Sequence, residues 1–150
     1  MAWVRPFSVF AALAMAFAAS LWSPATYAAV DRDGGRFATC RGAHRVNCVV
    51  DGDTFWYRGH KIRIADINTP EVSSPGCARE AALGAAATRR LVQLLNAGPF
   101  TVRIAYPDRE TDRYGRALRV VSRNGESIGL VLVREGLAET WKGRRSSWCR

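Results

Sequence analysis

Arg45-Val46-Asn47-Cys48-Val49-Val50-Asp51-Gly52-Asp53-Thr54-Phe55-Trp56-Tyr57-Arg58-Gly59-His60-Lys61-Ile62-Arg63-Ile64-Ala65-Asp66-Ile67 is the stretch that decides the fold. β-Branched and aromatic residues gather in three runs, Arg45 to Val50, Thr54 to Tyr57 and Lys61 to Ile67, and each reads as a strand. A turn at Arg58-Gly59 joins the second run to the third as a hairpin. Beyond it, Leu83, Ala87, Leu91, Leu94 and Leu95 fall on one face at spacings of three and four, and Gly98 supplies a stop, so a helix follows. Strands resume at Phe100 to Ala105 and Ala117 to Ser122, the latter ending at Asn124-Gly125, a dipeptide suited to the positive φ angles of a tight hairpin turn. The run Ile128 to Leu137 fits either a buried strand or a short helix. About five strands with a long helix inserted after the third predict a small barrel with helices packed outside it, an α+β domain.

The chain has 150 residues, 48% of them hydrophobic and 23% charged, which fits one globular domain. Met1 to Trp22 carries Arg5 and then an apolar run from Phe7 to Trp22, with small residues following at Ala25, Ala28 and Ala29. This reads as an export signal over 1–28, cleaved near Ala28, with an uncleaved anchor as the alternative. Residues 29–36, rich in Asp, Arg and Gly, read as a flexible lead, and the domain as 37–150. The mature protein is expected in the periplasm or outside the cell, as a monomer with no stable membrane span.

All four cysteines, Cys40, Cys48, Cys77 and Cys149, follow the signal, and an even count in an oxidising compartment predicts two disulfides. The pairing favoured is Cys40 with Cys48 and Cys77 with Cys149, which would pin the chain end to a loop. Zinc fits poorly, because there is no Cys-x-x-Cys pair and His44 and His60 lack paired ligand spacing. The formal net charge is +9; losing Arg5 with the signal leaves +8. Such a surplus attracts polyanions without choosing among DNA, RNA, anionic lipid and acidic glycans.

Three segments carry chemistry. In Asp51-Gly52-Asp53-Thr54 two carboxylates flank a glycine that lets the backbone bend, a start for a Ca²⁺ or Mg²⁺ site built from hard oxygen ligands, although such a tripeptide is also common in solvated turns. In Ile62-Arg63-Ile64-Ala65-Asp66-Ile67-Asn68-Thr69-Pro70-Glu71 an arginine sits among apolar neighbours and needs an anionic partner, either a ligand or Asp66 or Glu71. In Thr111-Asp112-Arg113-Tyr114-Gly115-Arg116 an arginine opens a strand, and its planar donor fork matches phosphate oxygens unless the group is only a surface charge cluster. There is no Gly-x-Ser-x-Gly elbow, no His-Glu-x-x-His pair and no phosphate-cradling glycine loop. Trp56, Tyr57, Trp141 and Trp148 suit either base stacking or the core.

These segments, in this order and with Gly136-Leu137-Ala138 after them, resemble the staphylococcal nuclease (thermonuclease) family over about residues 45 to 141. The resemblance implies an OB-fold barrel, Ca²⁺-dependent hydrolysis of DNA and RNA, and products ending in 3′-phosphates; Mg²⁺ or Mn²⁺ is the alternative cofactor. Carried over position by position, Asp53 matches a metal-ligating carboxylate and Thr69 a ligand through its backbone carbonyl, with Asp51 behind them. Glu71 matches the candidate general base, Arg63 and Arg116 the arginines that clamp the phosphate, and Arg113 and Tyr114 contacts to a neighbouring phosphate.

Two departures stand out. The family's second metal carboxylate is replaced by Asn68, whose amide oxygen can coordinate but lacks the charge that tunes calcium affinity. A non-catalytic nucleic-acid-binding module is therefore the rival reading, against which the retained Arg63, Glu71 and Arg116 argue. Arg63 and Asn68 are an odd number apart, so a bulge or strand exit near Asp66 is required for both to face one site. The chain also stops soon after Trp141, where the best-known members continue into a further helix, and a disulfide through Cys149 is expected to substitute for it.

Overall fold

The computed structural model describes residues 31–149. The expected export signal over 1–28 and the first two residues of the expected lead lie outside the described residues.

The elements in chain order are β1 (Ala38–Thr39), β2 (Cys48–Asp51), β3 (Thr54–Tyr57), β4 (His60–Ile64), β5 (Ile67–Asn68), α1 (Ala78–Asn96), β6 (Thr101–Ile104), β7 (Ala117–Arg123), β8 (Glu126–Ser127), α2 (Ile128–Arg134) and β9 (Glu139–Thr140). One mixed sheet runs β1-β2-β3-β4-β7-β6, with β8 on β7, and β5 pairs β9 separately. The neighbours β4 and β7 are parallel, so the chain must cross over between them, and α1 lies on that crossover. This is the α+β class of the OB fold, with the long helix after the third of the expected strands.

Arg58 and Gly59 take φ of 51° and 79°, and Asn124 and Gly125 take 50° and 80°, so both hairpin turns form where the sequence placed them. Of the run Ile128 to Leu137, Ile128–Arg134 is helix, capped by Ser127, which accepts a hydrogen bond from the Leu130 N–H at 3.2 Å. The expected strand from Lys61 to Ile67 breaks at Ala65-Asp66, giving the exit that the Arg63–Asn68 parity demanded.

From Asp31 onward the segment read as a lead makes contacts with the sheet. Asp33 exchanges both backbone hydrogen bonds with Phe100, and β1 pairs with the edge strand β2, so 33–39 reaches from one side of the sheet to the other. Asp31 also accepts from the Thr101 hydroxyl and the Asn124 N–H. Open sheet edges offer unpaired N–H and C=O groups, and this segment satisfies them.

Inside the barrel Phe37, Phe55, Tyr57 and Phe100 form an aromatic group with centroids 5.6–6.0 Å apart. Ala87, Leu91, Leu94 and Leu95 of α1 are buried against the core, while Leu83 is half-buried and Gly84 takes the contact in its place. A Cβ on Gly84 would lie 2.9 Å from the carbonyl oxygens of Pro70 and Glu71, so glycine sets how closely α1 approaches that turn. The disulfides are Cys40–Cys48 and Cys77–Cys149, as expected, and they leave no free thiol among the described residues for zinc.

Candidate active site

The Asp-Gly-Asp turn is built by contact as much as by backbone freedom. The register slips between Val49 and Asp51, and a Cβ on Gly52 would stand 2.6 Å from Ala87 Cβ and 2.8 Å from Thr69 Cγ2. Glycine thus lets the turn, α1 and the Thr69 segment meet. Asp53 is buried beside them; its Oδ1 accepts from the Thr54 hydroxyl at 2.9 Å and its Oδ2 from the Thr69 N–H at 3.0 Å.

Arg63 lies directly across from Thr54 in the β3–β4 register. Its guanidinium is 3.1 Å from Asp53 Oδ2 and donates to the carbonyls of Ile64 and Ile67. The buried cation is therefore satisfied by Asp53, not by Asp66 or Glu71. Asp66 turns toward α2 instead, where its Oδ2 accepts from the Ser127 hydroxyl, so it does not compensate for the missing carboxylate at position 68.

Asn68 and Thr69 are both buried, and Thr69 meets the pair through its N–H on Asp53. Asn68 donates its amide to Glu139 Oε1 at 3.0 Å across the β5–β9 pair. A carboxylate only accepts, which commits the nitrogen to Glu139 and leaves the Asn68 oxygen available as a ligand. Burial, then the Asp53 charge, pushes the Asp51 carboxyl up to about 7. An acidic pair with the Thr69 backbone bonded to Asp53 offers the hard oxygen ligands that a divalent cation takes.

Arg116 joins the group from β7's approach. Its guanidinium donates to Asp112 Oδ2 at 2.7 Å and reaches the Thr54 hydroxyl at 3.4 Å, which links it through Thr54 to Asp53. Burial works to raise Asp112, but hydrogen bonds from Arg116 and the Tyr114 N–H outweigh it and hold the carboxyl below its ordinary value. Tyr114 is 66% exposed, with the Arg113 and Arg116 guanidiniums 4.8 and 5.4 Å from its ring.

Arg63, Arg113, Tyr114 and Arg116 line one cavity of about 770 Å³, together with Trp141, Tyr106, Arg109 and Arg145. Asp53, Asn68, Thr69 and Glu71 do not line it; Asp53 is tied to the wall through Arg63, and Thr69 to Asp53 through its N–H. Glu71 joins by a different partner, since its carboxylate pairs with Arg145. Sequence reasoning missed Glu139, Arg145 and the Tyr106–Arg109 pair, whose guanidinium lies 5.3 Å from the ring. The signal that could have raised Arg145 was its position four residues before Cys149, whose disulfide returns the chain to the Glu71 side of the fold.

A family model described as "Staphylococcal nuclease homologue" matches residues 61–148. The chain is 36% identical over 93 residues to "Endonuclease YncB" of Bacillus subtilis (strain 168), covering 59% of this chain and 43% of that protein. It is 37% identical over 93 residues to "SPbeta prophage-derived endonuclease YokF" of the same strain, covering 59% and 31%. The chain thus spans less than half the length of these relatives.

Proposed function

The chain belongs to the staphylococcal nuclease homologue family, and from that premise we propose that it is an exported phosphodiesterase that hydrolyses DNA, RNA or both. The observation that carries this reading is the arrangement of Arg63 and Arg116 on the cavity wall, both linked to the buried Asp53. Both relatives carry endonuclease names, which supports internal cleavage. The two disulfides are compatible with export, and no helix among the described residues is long and apolar enough to cross a membrane. We take the protein as a monomer.

The proposed cofactor is Ca²⁺, with Mg²⁺ or Mn²⁺ as the alternative, held by Asp53, the Asn68 amide oxygen and the Thr69 carbonyl. When bound, it supplies polarisation of a phosphoryl oxygen and orientation of water, worth several kcal/mol. Arg63 and Arg116 orient the scissile phosphate and stabilise the charge that grows on its oxygens. Glu71 accepts the proton of the attacking water, for about 10²- to 10⁴-fold. The P–O5′ bond breaks, leaving a 3′-phosphate. Nucleases need about 10⁶-fold or more in total, so these groups must act together. Arg113 and Tyr114 contact a neighbouring phosphate.

One observation favours a second reading, a binding module without turnover: Asn68 removes a charge from the cation site and Arg63 already pairs with Asp53. Incubating purified protein with plasmid and with single-stranded DNA and RNA, in Ca²⁺, Mg²⁺, Mn²⁺ and chelator, decides between them. Chelator-sensitive cleavage that falls by orders of magnitude in folded Glu71→Gln and Arg116→Ala proteins is expected. Binding without cleavage in any of the metals would establish the module and overturn the enzyme.

A further inference from the structure

The segment that follows β9 has no regular structure, yet it is held at three points. The Trp141 N–H donates to the Asp66 carbonyl at 2.9 Å, the Ser146 N–H donates to Glu139 Oε1 at 3.1 Å, and Cys149 is bonded to Cys77, the residue that precedes α1. Arg145 directly precedes the second of these anchors; it lines the cavity wall and pairs with Glu71. The other half of that pair is fixed from the same side. Glu80 in the first turn of α1 accepts from the N–H of Glu71 at 3.3 Å and from that of Gly76 at 2.7 Å. The first turn of α1 therefore fixes the Glu71 backbone, and the disulfide at the helix start ties down the segment that carries Arg145.

The guanidiniums on the cavity wall differ in how firmly they are committed. Arg63 is buried against Asp53 and two carbonyls, and Arg116 is 18% exposed beside Asp112. Arg145 is 58% exposed and its partner Glu71 31%. A water-exposed ion pair has little net strength, so it is the cheapest of these to exchange for another anion. A phosphate is that anion, because it offers the same planar fork two oxygens and carries its own charge.

We propose that Arg145 is a further phosphate-binding residue of this site, held in place by the Cys77–Cys149 disulfide, and that it passes from Glu71 to a backbone phosphate of the nucleic acid when substrate enters. The exchange does two things at once. It adds a guanidinium to those of Arg63, Arg113 and Arg116 on the phosphate track, and it uncovers the carboxylate assigned as the base. The proposal rests on the nuclease reading, and its consequence lies in substrate binding: Arg145 governs KM and affinity, while Arg63 and Arg116 govern turnover.

The test uses the oxidised chain, a fluorescently labelled single-stranded oligonucleotide in chelator across a salt series, and cleavage kinetics in Ca²⁺. Four variants are compared with wild type: Arg145→Ala, Arg144→Ala, the pair Cys77→Ser/Cys149→Ser, and the pair combined with Arg145→Ala. Arg144→Ala removes the same charge one residue away from the wall. Arg145→Ala is expected to weaken oligonucleotide binding and raise KM by about three- to tenfold, with kcat nearly unchanged. The slope of log affinity against log salt should fall by about 0.7, one phosphate contact on a single strand. Arg144→Ala should change both by less than about twofold, the size of a diffuse charge effect.

The serine pair, shown to be folded by circular dichroism, should reproduce the Arg145→Ala loss, and adding Arg145→Ala to it should cost little more. Should the serine pair not fold, the contrast between Arg145→Ala and Arg144→Ala decides alone. Equal behaviour of those two single variants, or a rise in kcat with unchanged KM in Arg145→Ala, overturns the proposal; the second result would make Arg145 only a cover over Glu71. A wild-type protein that neither binds nor cuts nucleic acid would instead sink the nuclease reading.

Discussion

Asn68 Nδ2 lies 3.0 Å from Glu139 Oε1, in a two-residue strand pair that sets the two residues opposite each other. Ser146 and Asn68 both donate to this carboxylate, which outweighs its burial and keeps Glu139 below the ordinary range, and so charged. Asn68→Asp would replace a donor with a second carboxylate facing Glu139. In chelator the variant should lose about 1–3 kcal/mol, because the buried pairing becomes a repulsion. Ca²⁺ should raise its melting temperature by more than it raises that of wild type, since cation affinity grows with ligand charge. Thermal unfolding in chelator and in Ca²⁺ measures both, and an equal Ca²⁺ shift in the two proteins would remove position 68 from the ligand set.

Arg63 carries a structural duty together with its proposed catalytic one. It is the partner of the buried Asp53 and the donor to the Ile64 and Ile67 carbonyls at the strand break. Arg63→Ala should therefore cost about 3–5 kcal/mol in denaturant unfolding, because it leaves an uncompensated carboxylate inside. Arg63→Lys keeps a point charge but not the fork, so it should recover part of that stability. A loss below about 1 kcal/mol in Arg63→Ala, the size of an exposed pair, would show that Asp53 is not held by this arginine.

Much of this was legible in the sequence because it depends on local rules. The hairpin turns follow from Arg58-Gly59 and Asn124-Gly125, whereas the break after Ile64 follows from the parity of Arg63 and Asn68 only because the family resemblance puts both at one site. What escaped depends on long-range pairing. Asp33 reads as a residue of a polar lead until Phe100, 67 positions away, offers it backbone partners. Glu139 lies 71 positions from Asn68 and meets it only through the β5–β9 pair. Arg145 looks like one arginine in a basic run, and its pairing with Glu71 exists because Cys149 returns to Cys77. Leu83 kept the helical spacing yet ended half-buried, while its neighbour Gly84 is buried where α1 meets Pro70 and Glu71.

Gly52→Ala tests the close approach at the Asp-Gly-Asp turn. The added methyl would meet Ala87 Cβ at 2.6 Å and Thr69 Cγ2 at 2.8 Å, so α1 or the Thr69 segment must shift. Overpacking of this kind costs about 1–3 kcal/mol. Because the Thr69 N–H also holds Asp53, activity should fall more steeply than stability does. Measuring turnover at a temperature where the variant is fully folded separates the two, and wild-type turnover there would show that the turn tolerates the shift.

Asp112 gives the site a defined response to acid. Its carboxyl anchors the loop by accepting the N–H groups of Tyr114 and Arg116, and it holds the Arg116 guanidinium. The folded protein keeps this group charged below its ordinary value of 3.8. Its stabilisation is therefore fully present above the unfolded value and is lost as the pH falls through the lower, folded one. Asp112→Asn removes the charge at every pH, so the stability difference between wild type and variant should stay level from neutral pH down to about pH 5. Below about pH 4 the two proteins should converge, and the gap at neutral pH should be about 1 kcal/mol or less, as for a partly exposed pair. Urea unfolding of both proteins across this range reads the gap directly, with other acids cancelling because both chains carry them. A gap that stays constant to the most acidic point at which both fold would mean that the Asp112 charge does not hold the Arg116 loop.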